Sequence, residues 1–231
     1  VKLGYDRAED MVATTKRHPS RTRVRVAARP DGTIVGLDID FVIDGGAYIT
    51  LSQVVLSRGT IHAAGPYEIP HVRVRGRALR THTPPHGAFR GFGAPQSIFA
   101  LERHLDVVAA QLGLSPLELR RKNFVKKGGT LSTGQIVRDD VDLNALLDQA
   151  LAASRWEAKK ARPAEGHVRH GLGVATFLHG TGFTGSGEKF LASVVGVEGT
   201  AAGRVRVLAA STEIGQGTST IFAQIAGDAL G

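Results

Sequence analysis

The sequence predicts an α+β fold built from two mixed α/β units and incomplete at both ends. Three observations predict it. Arginine and valine alternate in Arg23-Val24-Arg25-Val26, Val72-Arg73-Val74-Arg75 and Arg204-Val205-Arg206-Val207, the period-two pattern of half-buried strands. Ile98, Leu101, Leu105, Val108 and Leu112 recur at helical spacing. A charged stretch from 159 to 168, holding Pro163 and Gly166, separates this region from a second β-rich one. The division falls at residue 165: a first unit over 1–165 and the start of a second over 166–231.

The elements are taken in chain order. Arg21 to Arg29 and Ile34 to Ile43 form a hairpin across Asp31-Gly32-Thr33. Residues 53–64 read as a helix, and Pro66 and Pro70 stiffen the next stretch. Val72 to Leu79 is a strand that runs into a proline-broken connector. The helix around Leu101 stops at Gly113. Ser115-Pro116-Leu117-Glu118 is a helix start, with Ser115 as N-cap and Glu118 closing a capping box. Residues 126–140 read as a loop, and Leu143 to Leu151 as a helix capped by Asp142. In the second unit, strands are expected at 172–179, 189–198 and 204–211, with a helix from Thr218.

Bulk properties narrow the function. With 42% hydrophobic residues in 231, a sizeable core is available, and no apolar run approaches the roughly 20 residues of a membrane span. The net charge of +8 would suit an anionic ligand or nucleic acid, but the arginines alternate instead of clustering, so a solvated strand face is the plainer reading. There is no cysteine, which excludes disulfides, thiolate metal sites, iron–sulfur clusters and a cysteine nucleophile within this chain. The chain starts at Val1 and its last helix looks unfinished, the expectation for part of a longer polypeptide.

Four segments carry candidate chemistry. Gly87-Ala88-Phe89-Arg90-Gly91-Phe92-Gly93-Ala94-Pro95-Gln96 lies between a strand and a helix. Its glycines let backbone approach a ligand, its rings can stack on a flat group, and Arg90 can fork onto an anion. A tight turn with core-plugging phenylalanines has the same composition. Arg58 precedes Gly59-Thr60 and then Pro66-Tyr67-Glu68-Ile69-Pro70; a surface arginine at a helix end is the alternative. Ser211-Thr212-Glu213-Ile214-Gly215-Gln216-Gly217-Thr218 joins a strand to a helix start, where amides can cradle an anion or simply make a capped joint. Gly180 to Gly185 matches GxGxxG, but the next stretch is β-like, so dinucleotide binding lacks its helix. The histidines form no ligand-spaced set, and Pro84-Pro85 break the helix that would aim His82 and His86 at one metal. No metal ligand is therefore assigned.

The loop from Gly87 to Gln96 resembles the FRGFG loop of the xanthine dehydrogenase/aldehyde oxidase family of molybdenum hydroxylases. The likeness extends from Asp6-Arg7-Ala8-Glu9-Asp10-Met11 and Arg17-His18-Pro19 through Arg120-Arg121-Lys122-Asn123 to Gln216, and the spacing from Arg58 through Tyr67 to Phe92 is that of the family. The resemblance implies the two-unit molybdopterin-binding fold of the large subunit. Phe89, Arg90 and Gly91 would contact the cofactor, and Phe92 would stack on the substrate ring. Arg58 would stabilise charge on a heteroaromatic substrate during catalysis. Gly215, Gln216 and Gly217 would bind the pterin, and Phe183 and Thr184 would form the other wall of the substrate pocket. The glycine spacing around Phe183 departs from that of the purine oxidisers.

The implied reaction is oxidative hydroxylation of a purine-like heteroaromatic or an aldehyde by a metal-bound hydroxide, with electrons leaving to iron–sulfur clusters and FAD in partner domains or subunits. The implied protein is a cytoplasmic, oligomeric enzyme that uses neither nucleic acid nor membrane. The base is expected in a Gly-Glu motif past Gly231, not at Glu213, so the chain alone should be inactive. The carbon-monoxide-oxidising branch carries a cysteine where Ala88-Phe89-Arg90 stands here. A non-catalytic α+β module binding an anionic ligand remains the competing reading.

Overall fold

The computed structural model describes residues 2–160, 166–180, 194–213 and 215–231. The chain forms two compact units, Val1–His179 and Gly180–Gly231.

The first unit opens with α1 (Arg7–Ala13), started by a capping box between Asp6 and Glu9. Next comes β1 (Lys16–Arg17), which pairs in parallel with β5 (His86–Gly87). The main sheet holds β2 (Ser20–Ala28), β3 (Ile34–Gly46) and β4 (His71–Arg80) in the order β2-β3-β4. The β2–β3 hairpin is antiparallel, as the alternation predicts, and its turn is held by Thr33, whose amide and hydroxyl both donate to Asp31. The β3–β4 pair is parallel, and α2 (Ser52–Ile61) makes the crossover.

Alternation sorts the sheet into two faces. Ile39, Phe41 and Ile43 of β3 have no exposed surface. Each such burial contributes roughly 1.5–3 kcal/mol. They face α2 and α3 (Ala94–Gln111), whose Ile98, Leu101, Leu105 and Val108 are buried at the predicted spacing. Helix α3 ends in a Schellman turn: Leu114 N–H donates to Ala109 O and Gly113 N–H to Ala110 O. Helix α4 (Pro116–Asn123) begins with the expected Ser115–Glu118 capping box. At its end, buried Asn123 donates to Gly32 O at 2.9 Å and accepts from Ile34 N at 2.8 Å, tying the helix to the hairpin turn. Helices α5 (Leu143–Ala153), capped by Asp142, and α6 (Trp156–Lys160) come next.

Residues 166–179, expected to open the second cofactor unit, belong to the first compact unit. Residues 172–179 form no ladder among the described residues. A buried polar network fastens them instead. Thr176 N donates to Glu102 Oε2 at 2.9 Å, and the Tyr67 hydroxyl lies 2.6 Å from both Glu102 Oε1 and Thr176 Oγ1. Arg120, fully buried, donates to Glu102 through Nε at 2.8 Å and pairs with Asp106 at 2.9 Å. A desolvated carboxylate with three donors on it is a stable arrangement only as a complete set.

The second unit contains β6 (Gly196–Gly199) paired antiparallel with β7 (Val205–Leu208), and α7 (Thr218–Leu230). The strands are shorter than their expected spans, and residues 189–193 lie outside the described residues. None of the described residues of this unit is buried.

Candidate functional site

The loop after β5 takes an uncommon path. Gly91, Phe92 and Gly93 all have left-handed backbone, with φ of 88°, 54° and 102°. A large non-glycine residue there costs on the order of 1–3 kcal/mol and persists only where its surroundings impose it. The constraints are visible. Phe92 N–H donates to Phe89 O at 2.7 Å, and Ala94 N–H to Gly91 O at 3.1 Å. Gly93 lies flush on α2: a Cβ there would stand 2.1 Å from the Val55 carbonyl oxygen. Gly59 is the matching position on the helix, where a Cβ would stand 3.0 Å from Gly93 O. Two glycines thus bring the loop and helix into backbone contact.

That contact places Arg58, next to Gly59, beside the loop. Arg58 lies in the last turn of α2 and is only 7% exposed, so it is no surface arginine. His62, one turn on, has Nδ1 2.8 Å from Arg58 O. Its ring stacks on His179 with centroids 5.1 Å apart, and His179 Nε2 is 3.3 Å from Gly91 O. Arg58, His62, His179 and the Gly91–Gly93 loop therefore form one constellation from three separate segments. Burial holds the His62 pKa below its usual value; the bond to Arg58 O opposes this, and the nearby His179 and Arg58 add to it.

The loop's side chains divide between core and solvent. Phe92 is partly buried and packs on the core edge, whereas Phe89 and Arg90 are exposed. Arg17 organises them: its guanidinium sits 5.0 Å over the Phe89 ring, Nη2 donates to Arg90 O at 2.5 Å, and Nη1 to Gln96 Oε1 at 3.3 Å.

In the second unit, Gly215 and Gly217 are left-handed, with φ of 93° and 87°. Gln216 Nε2 donates to Thr212 O at 2.7 Å and Thr218 Oγ1 at 2.6 Å. The amides of Gly215, Gly217 and Ser219 converge on the Glu213 carboxylate at 2.7, 3.1 and 3.1 Å. These amides hold the Glu213 pKa below the usual carboxylate value. Phe183 and Thr184 lie outside the described residues.

Reading the sequence missed His62, His179 and Arg17. The i, i+4 spacing of Arg58 and His62 on a helix was the available signal for the first. His179 and Arg17 meet their partners only through long-range packing. Glu213, set aside as a base, serves as the anchor of its loop.

Each loop, taken by itself, has groups of the kind that hold a pterin cofactor. In the second, the amides converge as an anion cradle does and Glu213 itself fills it; the first offers a guanidinium, a ring and close backbone approach. No group of three His, Cys, Asp or Glu able to hold a metal occurs among the described residues.

The molybdopterin cofactor-binding domain profile matches residues 1–124, and a second profile of that description matches residues 149–231. The chain belongs to the molybdopterin cofactor-binding domain family. It is 35% identical over 150 residues to the nicotinate dehydrogenase large molybdopterin subunit of Eubacterium barkeri, covering 65% of this chain and 35% of that protein. It is 35% identical over 219 residues to the aldehyde oxidoreductase of Megalodesulfovibrio gigas, covering 94% of this chain and 24% of that one. The solved aldehyde oxidoreductase from Desulfovibrio gigas superposes with a TM-score of 0.62 at 35% identity, over 68% of this chain and 17% of that chain. This molybdopterin-binding chain thus spans about a quarter to a third of the length of these curated relatives. The solved neighbour bears out the expected α+β cofactor-binding fold.

Proposed function

We propose that this chain is the cofactor-binding part of a molybdopterin-dependent oxidoreductase that hydroxylates a purine-like heteroaromatic or an aldehyde. Residues 1–165 and 166–231 belong to its first and second cofactor-binding units. The observation that carries the reading is the buried Arg58 beside the left-handed Phe92 loop, since strain of that kind clusters at ligand sites. When bound, the cofactor supplies the redox chemistry of oxidative hydroxylation.

The chain's own residues bind and orient. Arg90, Phe89 and Gly91 hold the cofactor from one loop, and Gly215, Gln216 and Gly217 from the other. Phe92 presents an aromatic face to a flat substrate at little entropic cost. Arg58 offers a planar cationic fork where charge develops on a heteroaromatic ring. Phe183 and Thr184 complete the pocket wall. Electrons leave to iron–sulfur and flavin groups carried elsewhere in an oligomeric cytoplasmic enzyme; the subunit naming of the Eubacterium relative supports the multi-subunit part of this reading. Among the described residues no helix is long and apolar enough to cross a membrane.

Arg58→Leu in the enzyme that contains this chain tests the reading. Hydroxylation of a purine-like ring should slow about tenfold, on the order of 1.4 kcal/mol in the barrier. Oxidation of a small aldehyde, whose charge gathers on its own oxygen, should change little. Equal losses on both substrates, or none, would remove Arg58 from the site.

A further inference from the structure

The main sheet turns its outer face to solvent, and that face carries an ordered grid of charge. Register places Arg25, Asp38 and Arg73 in one row across β2, β3 and β4. Arg23, Asp40 and Arg75 form the next, and Arg21, Val42 and Arg77 the third. Two arginine columns thus flank a central column of two carboxylates and a valine. Six arginines against two aspartates leave a surplus of four positive charges on one face.

We propose that this grid is a docking surface for the acidic face of a partner protein. Its geometry specifies the partner. Neighbouring arginines in a column are about 6.7 Å apart, and the two columns, separated by one strand, about 9.6 Å apart. The matching surface presents carboxylates in two such columns with a neutral or basic stripe between them.

Three observations favour an interface over a merely solvated face. Every cation of the grid is arginine and none is lysine, the composition of interfaces as against ordinary surface. The central carboxylates orient guanidinium groups in advance: Arg73 meets Asp38 through two bonds of 2.8 and 2.9 Å, and Arg77 meets Asp40 at 2.9 Å. That ordering lowers the entropic cost of binding a further carboxylate. Yet the side chains stay accessible, with Arg25, Arg73 and Arg77 68%, 67% and 50% exposed. Arg21, Arg23 and Arg75 are exposed and make no ion pair among the described residues. A protein fits better than nucleic acid. The central carboxylates oppose a phosphate backbone crossing the sheet, and no position of the grid holds an aromatic side chain on which bases could stack.

The test uses the whole 231-residue chain and labelled poly-L-glutamate as an acidic-polypeptide probe, with duplex DNA as a second probe at equal charge. The variant R21E/R23E/R75E is compared with K126E/K159E/K160E, which makes the same charge change elsewhere. R21Q/R23Q/R75Q guards against misfolding, and circular dichroism checks all three. The grid variants should bind poly-L-glutamate about tenfold or more weakly than the parent, while the control changes by about twofold or less. Equal losses in grid and control variants would show only net charge at work and overturn the proposal. Tighter binding of the DNA than of poly-L-glutamate, lost in the grid variants, would overturn it in favour of nucleic acid. None of the substituted residues belongs to the Arg58–Phe92 constellation or to the Glu213 loop, so either result leaves the cofactor reading standing.

Discussion

Phe92 and its two glycines hold the backbone of the candidate site, and each has a separable role. Gly93 has no room for a methyl group against the Val55 carbonyl, and its φ of 102° disfavours any other residue. Gly93→Ala should therefore destabilise the chain by about 2 kcal/mol or more. Urea denaturation checks this, and an unchanged midpoint would mean that the loop can move off α2 without cost. The buried histidines give a pH dependence. Burial lowers the pKa of both His18 and His62 below 6.5. For His18 the neighbouring His86 adds to this, while Asp44 and Gly87 oppose it. The unfolded chain then binds more protons than the folded one below pH 6.5, so stability falls as pH drops through that value. The slope should not exceed about 1.4 kcal/mol per pH unit for each group. Urea midpoints at neutral and mildly acid pH should show the decline, and His62→Gln should make it shallower. A parent chain equally stable at both would contradict the assigned burial.

At the scale of elements, two joints matter more than any helix or strand alone. Glu102 and Arg120 form a fully desolvated pair that also holds Thr176 and Tyr67. Burial opposes the charge on Arg120, but Glu102 and Tyr67 outweigh it and raise its pKa. Glu102→Ala leaves that buried cation with Asp106 as its remaining carboxylate and strips Tyr67 and Thr176 of their acceptor, and should cost about 3 kcal/mol. It should also speed proteolytic cutting after Arg169, because residues 172–179 lose their fastening. Stability within about 1 kcal/mol of the parent would show that the network contributes little. The second joint is Glu213. Glu213→Gln should loosen the start of α7, seen as faster amide exchange at Gly215, Gly217 and Ser219. The parent should show the same loosening as acid protonates the carboxylate, whose depressed pKa places that loss below 4.5. Slow exchange in the variant would mean the loop holds itself. The hairpin, α3 and both capping boxes were legible because local periodicity and cap chemistry determine them. The fastening of 172–179 was not: its alternation resembles a strand, but side chains 74 residues away satisfy its backbone.

Across the whole molecule, the first unit supplies a buried core and an organised loop. In the second, a groove of about 560 Å³ between β7 and α7 leaves Phe222 and Leu230 lining open space. The candidate site was legible to the extent that its signal was local. The glycines, Phe92 and Arg58 announced themselves by residue type and spacing. His62, His179 and Arg17 did not, because their roles exist only once three segments meet. The central claim is that the Arg58–Phe92 constellation orients substrate at a bound molybdopterin. Phe92→Ala in the enzyme that contains this chain tests it most directly, with molybdenum and pterin content measured beside turnover. The account predicts near-parental cofactor content and a rate about tenfold lower or worse, since misplaced reacting atoms are costly. Cofactor lost in proportion to activity would contradict it and make Phe92 a structural residue of the loop.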